Sequence, residues 1–219
     1  MNKVIPLEQA VALVKAGATV MINGFMAVKT PETLIDGLVA QGTGGLTVIS
    51  NDASVQGKGV GKLLSAGLIR KLVASHIGLN PEAATRMHAG SLEVELIPQG
   101  TLAERIRCGG SGLGGVLTPT GVGTSVEEGK EKLVVDGREY LLEKPLRADV
   151  TLLRGSVVDT LGNVYYRGTT KNFSIVMAMA ADLVIAEAEK LVEPGDLDPD
   201  LVMTPSLFVD HIVVAGGAQ

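Results

Sequence analysis

Gln99 follows a strand-like run, Leu92 to Ile97, and Pro98; residues 92–99 read Leu-Glu-Val-Glu-Leu-Ile-Pro-Gln. A glutamine amide donates two N–H bonds without becoming charged, which suits it to stabilise charge developing on a carbonyl oxygen. The run has the pattern of a buried strand, and in open α/β sheets ligands sit beyond the carboxyl ends of the strands. Pro98 removes one backbone donor and stiffens the exit. The same glutamine also suits a capping role on the helix that follows, and the pattern leaves both roles open. A second candidate is Asn23 to Pro31, Asn-Gly-Phe-Met-Ala-Val-Lys-Thr-Pro, which reads as a strand-to-helix turn. Backbone N–H groups at such a turn can hold a phosphate or a carboxylate. It carries neither a dinucleotide fingerprint nor a phosphate-loop spacing, so a plain turn is the simpler reading. Asn51-Asp52 also follows a strand-like run; it offers polar groups to the same rim, though an Asx-turn is the favoured reading.

The other reactive side chains point to less. Cys108 lies beside Arg105 and Arg107, which would lower a thiol pKa, but a small buried apolar role is expected of it. His76 ends a strand-like run and could face the rim. His211 sits in the alternating run Val-Asp-His-Ile-Val-Val. Asp182, Glu187 and Glu189 are close in sequence, with no spacing that pairs them as acid and base. No Ser-His-Asp or Cys-His arrangement is visible. His76, His88, Cys108 and His211 show no metal-ligand spacing, so no metal is expected. The residues describe a polar rim without a nucleophile.

The elements that would position this rim alternate along the chain. Leu7 to Ala16 has a helical apolar face followed by Gly17, and Thr19 to Ile22 is a short strand. Pro31 opens a helix with Thr30 as its N-cap and Leu34, Ile35 and Leu38 as its stripe. Strand patterns follow at Leu46 to Ser50, Leu68 to Ser75 and Leu92 to Ile97. They are separated by helical patterns at Gly59 to Ala66 and at Pro81 to Ala89, with Asn80 as cap. Helix–strand alternation of this kind predicts parallel strands with crossovers. After Gln99, Thr101 to Arg107 is helical in pattern. Eight of the chain's 28 glycines then fall between Pro98 and Thr124, at 100, 109, 110, 112, 114, 115, 121 and 123. A run so rich in glycine reads as a backbone that comes close to a ligand or another chain, with a long flexible surface loop as the plainer alternative. Lys132 to Leu142 is a hairpin around Asp136-Gly137. Strands at Ala148 to Arg154, Leu183 to Glu187 and Phe208 to Val214, a turn at Leu161-Gly162-Asn163, and an apolar helix at Phe173 to Ala181 complete the chain. The fold expected is α/β: an open, mostly parallel sheet with helices on both faces and an antiparallel β insertion. It is expected as a single domain over residues 1–219, with a flap around residues 118–147.

The 219 residues are 46% hydrophobic and 20% charged, which excludes a disordered chain. A net charge of −5 argues against nucleic acid as a partner. One cysteine allows no intrachain disulfide and fits a reducing compartment. Neither a signal segment nor an 18-residue apolar span is visible, so no membrane is expected and the cytoplasm is the expected location.

Taken together, the motifs resemble the A, or alpha, subunit of class I CoA-transferases, and most of all the acetate or butyrate:acetoacetate subgroup. The matching runs are ISND at Ile49 to Asp52, ASHIG at Ala74 to Gly78, and LEVELIPQGTLAERIRCGGSGLGG at Leu92 to Gly115. TPTGVGT at Thr118 to Thr124, PLRAD at Pro145 to Asp149, Gly162-Asn163 and Lys171-Asn172-Phe173 follow in order. The resemblance implies an enzyme that moves CoA between a short-chain acyl-CoA and a carboxylic acid. It implies no permanently bound cofactor, with CoA and acyl-CoA as substrates. It further implies a homologous beta subunit, usually two of each, whose glutamate becomes a glutamyl-CoA thioester. Gln99 then maps onto an oxyanion role, with the glycines behind it near CoA or the partner. A proposed CoA contact maps onto Asn23, Gly24, Phe25, Met26, Ala27, Val28 and Lys29. Here the sequence departs from the family pattern: Asn23 and Lys29 stand where glycines are usual. Lysine resists positive φ, so the turn is expected to be reshaped at Lys29. Alternatively the Lys29 ammonium itself meets an anion. Sugar-phosphate isomerases and related hydrolases share this architecture, and a non-catalytic protein of the same fold is a further alternative.

Overall fold

The computed structural model describes residues 2–216. Its first half alternates as the apolar pattern predicts: α1 (Leu7–Ala12), β1 (Thr19–Ile22), α2 (Glu32–Gln41), β2 (Leu46–Ile49), α3 (Val60–Ser65), β3 (Ile69–Ala74), α4 (Pro81–His88) and β4 (Glu93–Leu96). Helix α5 (Gln99–Gly110) then leads into β5 (Val116–Thr118), β6 (Lys132–Val135) and β7 (Arg138–Glu143). The remainder holds β8 (Ala148–Gly155), β9 (Val157–Asp159), β10 (Val164–Tyr165), α6 (Ser174–Met179), β11 (Ala181–Ala188), β12 (Leu191–Val192) and β13 (His211–Val214).

Seven strands form the main sheet in the order β13-β11-β8-β1-β2-β3-β4, every pair parallel. The chain builds outward from β1 to β4, then returns to β1's other side with β8. The order therefore reverses between β1 and β8, where a crevice opens at the carboxyl edge. Both faces of the central strands are covered, so β1, β2, β8 and β11 carry apolar residues on both sides. β4 is an edge strand with no fully buried residue, so the buried strand expected before Gln99 is corrected. Val20 and Ile22 pack into one core with α1 to α4, while Met21 packs into the other with α5 and α6. The antiparallel insertion is a three-stranded sheet, β5-β7-β6, whose first strand starts at Val116, two residues before the expected flap. A second small sheet, β10-β9-β12, lies beyond β8.

Several expectations are corrected. The segment from Pro98 to Thr124 is not one long loop: α5 runs through Gly110. Of its eight glycines, Gly109, Gly110, Gly115 and Gly121 meet this chain itself, while Gly100, Gly112, Gly114 and Gly123 face open space. A Cβ on Gly109 would lie 1.9 Å from the Leu146 carbonyl oxygen, and one on Gly110 would lie 2.6 Å from Met179 Cβ. Helix α5 needs these glycines to press against the lead into β8 and against α6. Helix α1 ends at Ala12, four residues early, and Gly17 with φ +78° instead donates its N–H to Gly44. Pro31, not Thr30, takes the N-cap place of α2, while the Thr30 hydroxyl donates to Glu32 at 2.8 Å. The last strand begins at His211, because Ser206–Phe208 forms a 3-10 turn. No helix among the described residues is long and apolar enough to cross a membrane.

Candidate functional site

The carboxyl ends of β1, β2, β3, β4, β8 and β11 gather the residues singled out in the sequence. Gln99 is the first residue of α5 and exposed at that edge. It does not turn into its own helix as a cap. Its Nε2 donates to Asn51 Oδ1 at 2.6 Å, across 48 residues of sequence. Asn51 is itself 2% exposed, and its Nδ2 donates to the Gly24 carbonyl at 2.5 Å. The Ser75 N–H and hydroxyl both donate to the Asn51 carbonyl, at 2.9 and 2.8 Å. The ends of β1, β2 and β3 are thereby joined under the Gln99 amide. One of the two Nε2 hydrogens is held by Asn51, and the other is left for an oxygen in the crevice.

Asp52 confirms the Asx-turn reading and adds to it. Its Oδ1 accepts from Ser54 N at 2.6 Å, and its Oδ2 accepts from Met26 N at 2.9 Å. The turn after β1 is thus tied to the end of β2. Within it Met26, Ala27 and Lys29 all lie at positive φ, +53°, +63° and +57°. Such conformations cost side-chain-bearing residues energy and persist only where surrounding contacts hold them. Lys29 is therefore not reshaped away from the glycine conformation; it adopts it. Its ammonium lies 2.5 Å from both oxygens of Glu189. Gly24 has φ +125°, and a Cβ there would lie 2.4 Å from Thr30 Cγ2. Phe25, Met26 and Val28 turn outward, 46%, 42% and 60% exposed. Phe25 leans on the His76 ring at 6.1 Å. Across a shallow cleft from Gly24, Phe25 and Val28 stand Thr169, Thr170 and Asn172.

Asn23 faces inward instead. It is 1% exposed; its Nδ2 donates to Ser174 Oγ at 2.9 Å and its Oδ1 accepts from Arg154 N at 3.0 Å. The N-terminus of α2 is likewise occupied by the protein's own carboxylate. Glu187 is fully buried, its Oε2 accepting from Leu34 N at 3.1 Å and its Oε1 lying 3.3 Å from Arg154 Nη1. Burial pushes the Glu187 carboxyl up, and the Leu34 N–H and the Arg154 charge offset this only in part. The Lys29 ammonium instead holds Glu189 below the usual carboxylate range. Glu187 and Glu189 thus serve the fold and the turn, not a shared acid–base pair. Asp182 pairs on the surface with Arg147 at 2.8 Å. Cys108 is buried in α5, as a small apolar residue should be. His211 stands on β13. Among the described residues no group of three or more His, Cys, Asp or Glu side chains could hold a metal.

Arg154 is the residue that sequence reasoning passed over. It closes the apolar strand Ala148–Gly155 and links Glu187, Glu189 and the Thr30 carbonyl. A lone arginine at the end of an apolar run was the available signal, because a charge in that setting needs a partner.

Comparison with known proteins identifies the family. The family model for coenzyme A transferase matches residues 4–215. The chain is 52% identical to the acetoacetyl-CoA:acetate/butyrate CoA transferase alpha subunit of Clostridium acetobutylicum, over 97% of each chain. It is 49% identical to the acetate CoA-transferase subunit alpha of Escherichia coli K12, over 98% of this chain and 97% of that one. Its fold matches the acyl-CoA transferase of E. coli O157:H7 with a TM-score of 0.87 at 22% identity, covering 100% of this chain and 49% of that longer polypeptide. The chain belongs to the coenzyme A transferase family, as a class I alpha subunit of an enzyme that moves CoA between an acyl-CoA and a carboxylic acid.

Proposed function

We propose that this subunit supplies the oxyanion half of an active site whose nucleophile is a glutamate on a homologous beta subunit, and that two of each assemble in the cytoplasm. The acids are short-chain ones of the acetate, butyrate and acetoacetate kind, the substrates named for the two relatives half identical to this chain. The partner's carboxylate adds to the acyl-CoA carbonyl, and the C–S bond breaks to give an acyl-glutamyl anhydride and CoA thiolate. The thiolate then adds to the glutamyl carbonyl, forming the glutamyl-CoA thioester and releasing the first acid. The second acid runs both steps backwards. Each addition places negative charge on a carbonyl oxygen, and the free Gln99 N–H stabilises it.

The observation that carries this reading is the Gln99 amide, held by Asn51 at 2.6 Å with one N–H uncommitted at the carboxyl edge. The turn from Asn23 to Lys29 is the acyl-CoA contact in this reading. With the Asn23 side chain bonded inward, contact falls to the backbone of Gly24 and Ala27 and to the exposed Phe25, Met26 and Val28. The chain acts as one domain, with residues 118–147 as its flap. Gln99→Ala, assembled with the beta subunit, is expected to lower turnover by roughly ten- to a thousandfold, the usual cost of one oxyanion donor. Size exclusion should show the same assembly. Wild-type turnover in that variant would remove Gln99 from the mechanism.

A further inference from the structure

Lys29 holds a backbone conformation that suits glycine, and a carboxylate from a distant strand end meets its side chain. At φ +57° the lysine Cβ crowds the neighbouring carbonyl, where a glycine would sit freely. Its ammonium lies between the two oxygens of Glu189, 2.5 Å from each. Glu189 stands just past the end of β11, with its own N–H bonded to the Gly155 carbonyl at 3.0 Å. Arg154 backs the same carboxylate, its Nη2 4.0 Å away. At the turn's other end Met26 N is tied to Asp52. The left-handed residues are therefore anchored from both sides of the sheet's reversal point, by β2 through Asp52 and by β11 through Glu189.

We propose that Glu189 is a positioning residue: its ion pair with Lys29 keeps the turn left-handed and so fixes how Phe25 to Val28 meet acyl-CoA. This rests on the reading of that turn as the acyl-CoA contact. A partly exposed ion pair is weaker than the strain of a left-handed lysine, so the pair shifts the local equilibrium as one anchor among those that hold the turn.

The test compares wild type, Glu189→Gln, Lys29→Gly and the double variant, each assembled with the beta subunit. Hydrogen exchange at the Val28 amide, which donates to the Phe25 carbonyl at 2.8 Å, reports the turn directly. Steady-state kinetics report its use. Glu189→Gln should speed Val28 exchange by about two- to fivefold, the equilibrium equivalent of a partly exposed ion pair. KM for acyl-CoA should rise by about the same factor, with a smaller change in kcat. In the Lys29→Gly background, Glu189→Gln should change neither, because glycine takes positive φ unaided and no ammonium remains to pair. Unchanged exchange in Glu189→Gln, or equal effects in both backgrounds, overturns the proposal. Faster exchange with an unchanged KM leaves the anchor standing and overturns the turn's contact with acyl-CoA, and with it the positioning role.

Discussion

Asn51 decides which way the Gln99 amide faces. Its Oδ1 takes one Gln99 hydrogen while its Nδ2 is fixed on the Gly24 carbonyl, so the Asn51 amide cannot flip without losing both bonds. Asn51→Ala would let the Gln99 side chain rotate away from the crevice. Turnover is expected to fall by about tenfold or more, approaching the cost of losing the donor outright. Added to Gln99→Ala, the same substitution should cost little further, since both remove one N–H from one oxygen. Assays of CoA exchange over the four variants would read this, and additive losses would mean that Asn51 acts independently. Gly24 belongs to the same scale. A methyl group there meets Thr30 Cγ2 at 2.4 Å in a backbone region closed to alanine. Gly24→Ala should therefore cost about 1–3 kcal/mol of stability, read as a lower urea midpoint. The place of Gln99 at the carboxyl edge was legible in the sequence because it follows a strand pattern directly. Its bond to Asn51 was not, since nothing local in either segment specifies which strand ends become neighbours.

At the scale of elements, the apolar patterns gave the strands and helices of the main sheet closely, because the central strands are buried on both faces and read as mostly apolar runs. The glycines of α5 misled, for a physical reason. Glycine weakens a helix by its own propensity, yet here the backbone of Leu146 and the side chain of Met179 come too close for any Cβ, and packing overrides propensity. The cap of α2 was equally hidden, because its Glu187 carboxylate arrives from β11, over 150 residues later. That carboxylate makes a pH-dependent prediction. Burial raises its pKa above the ordinary value of 4.5, so the native state holds this proton more tightly than the unfolded chain. Its contribution to stability is full below pH 4.5 and is lost as pH rises through the raised native value. Glu187→Gln removes that slope. The stability of wild type relative to the variant should fall as pH rises above 4.5 and be flat below it. Urea unfolding from about pH 4 to 8 would show this, and parallel profiles would mean that the Glu187 carboxyl titrates alike in the native and unfolded states.

For the molecule as a whole, the flap leaves one face of its sheet uncovered. Opposed residues of an antiparallel pair point to the same side. Leu117 opposes Leu142 and Leu133 opposes Tyr140, which sets these four side chains on one face. The neighbouring Leu141 is fully buried on the other. The four are half-buried or exposed, Leu117 at 39%, and Arg138 stacks on the Tyr140 ring at 5.5 Å. A three-stranded sheet with Leu141 buried beside the flap's own Gly121 and Val126 on one face, and these apolar residues on the other, has the form of a docking surface. In the proposed assembly, the beta subunit covers it. A carboxylate placed there would be buried without a partner on assembly, while in the lone subunit it would remain in water. Leu133→Glu should therefore leave the circular dichroism and melting of the isolated alpha subunit nearly unchanged. Its affinity for the beta subunit should fall by about tenfold or more, the cost of disrupting a central interface contact. Titration of labelled alpha subunit with beta subunit measures both arms. Unaltered affinity would place the partner elsewhere, with the most exposed apolar side chains of the rim turn, Phe25, Met26 and Val28, as the next surface to substitute.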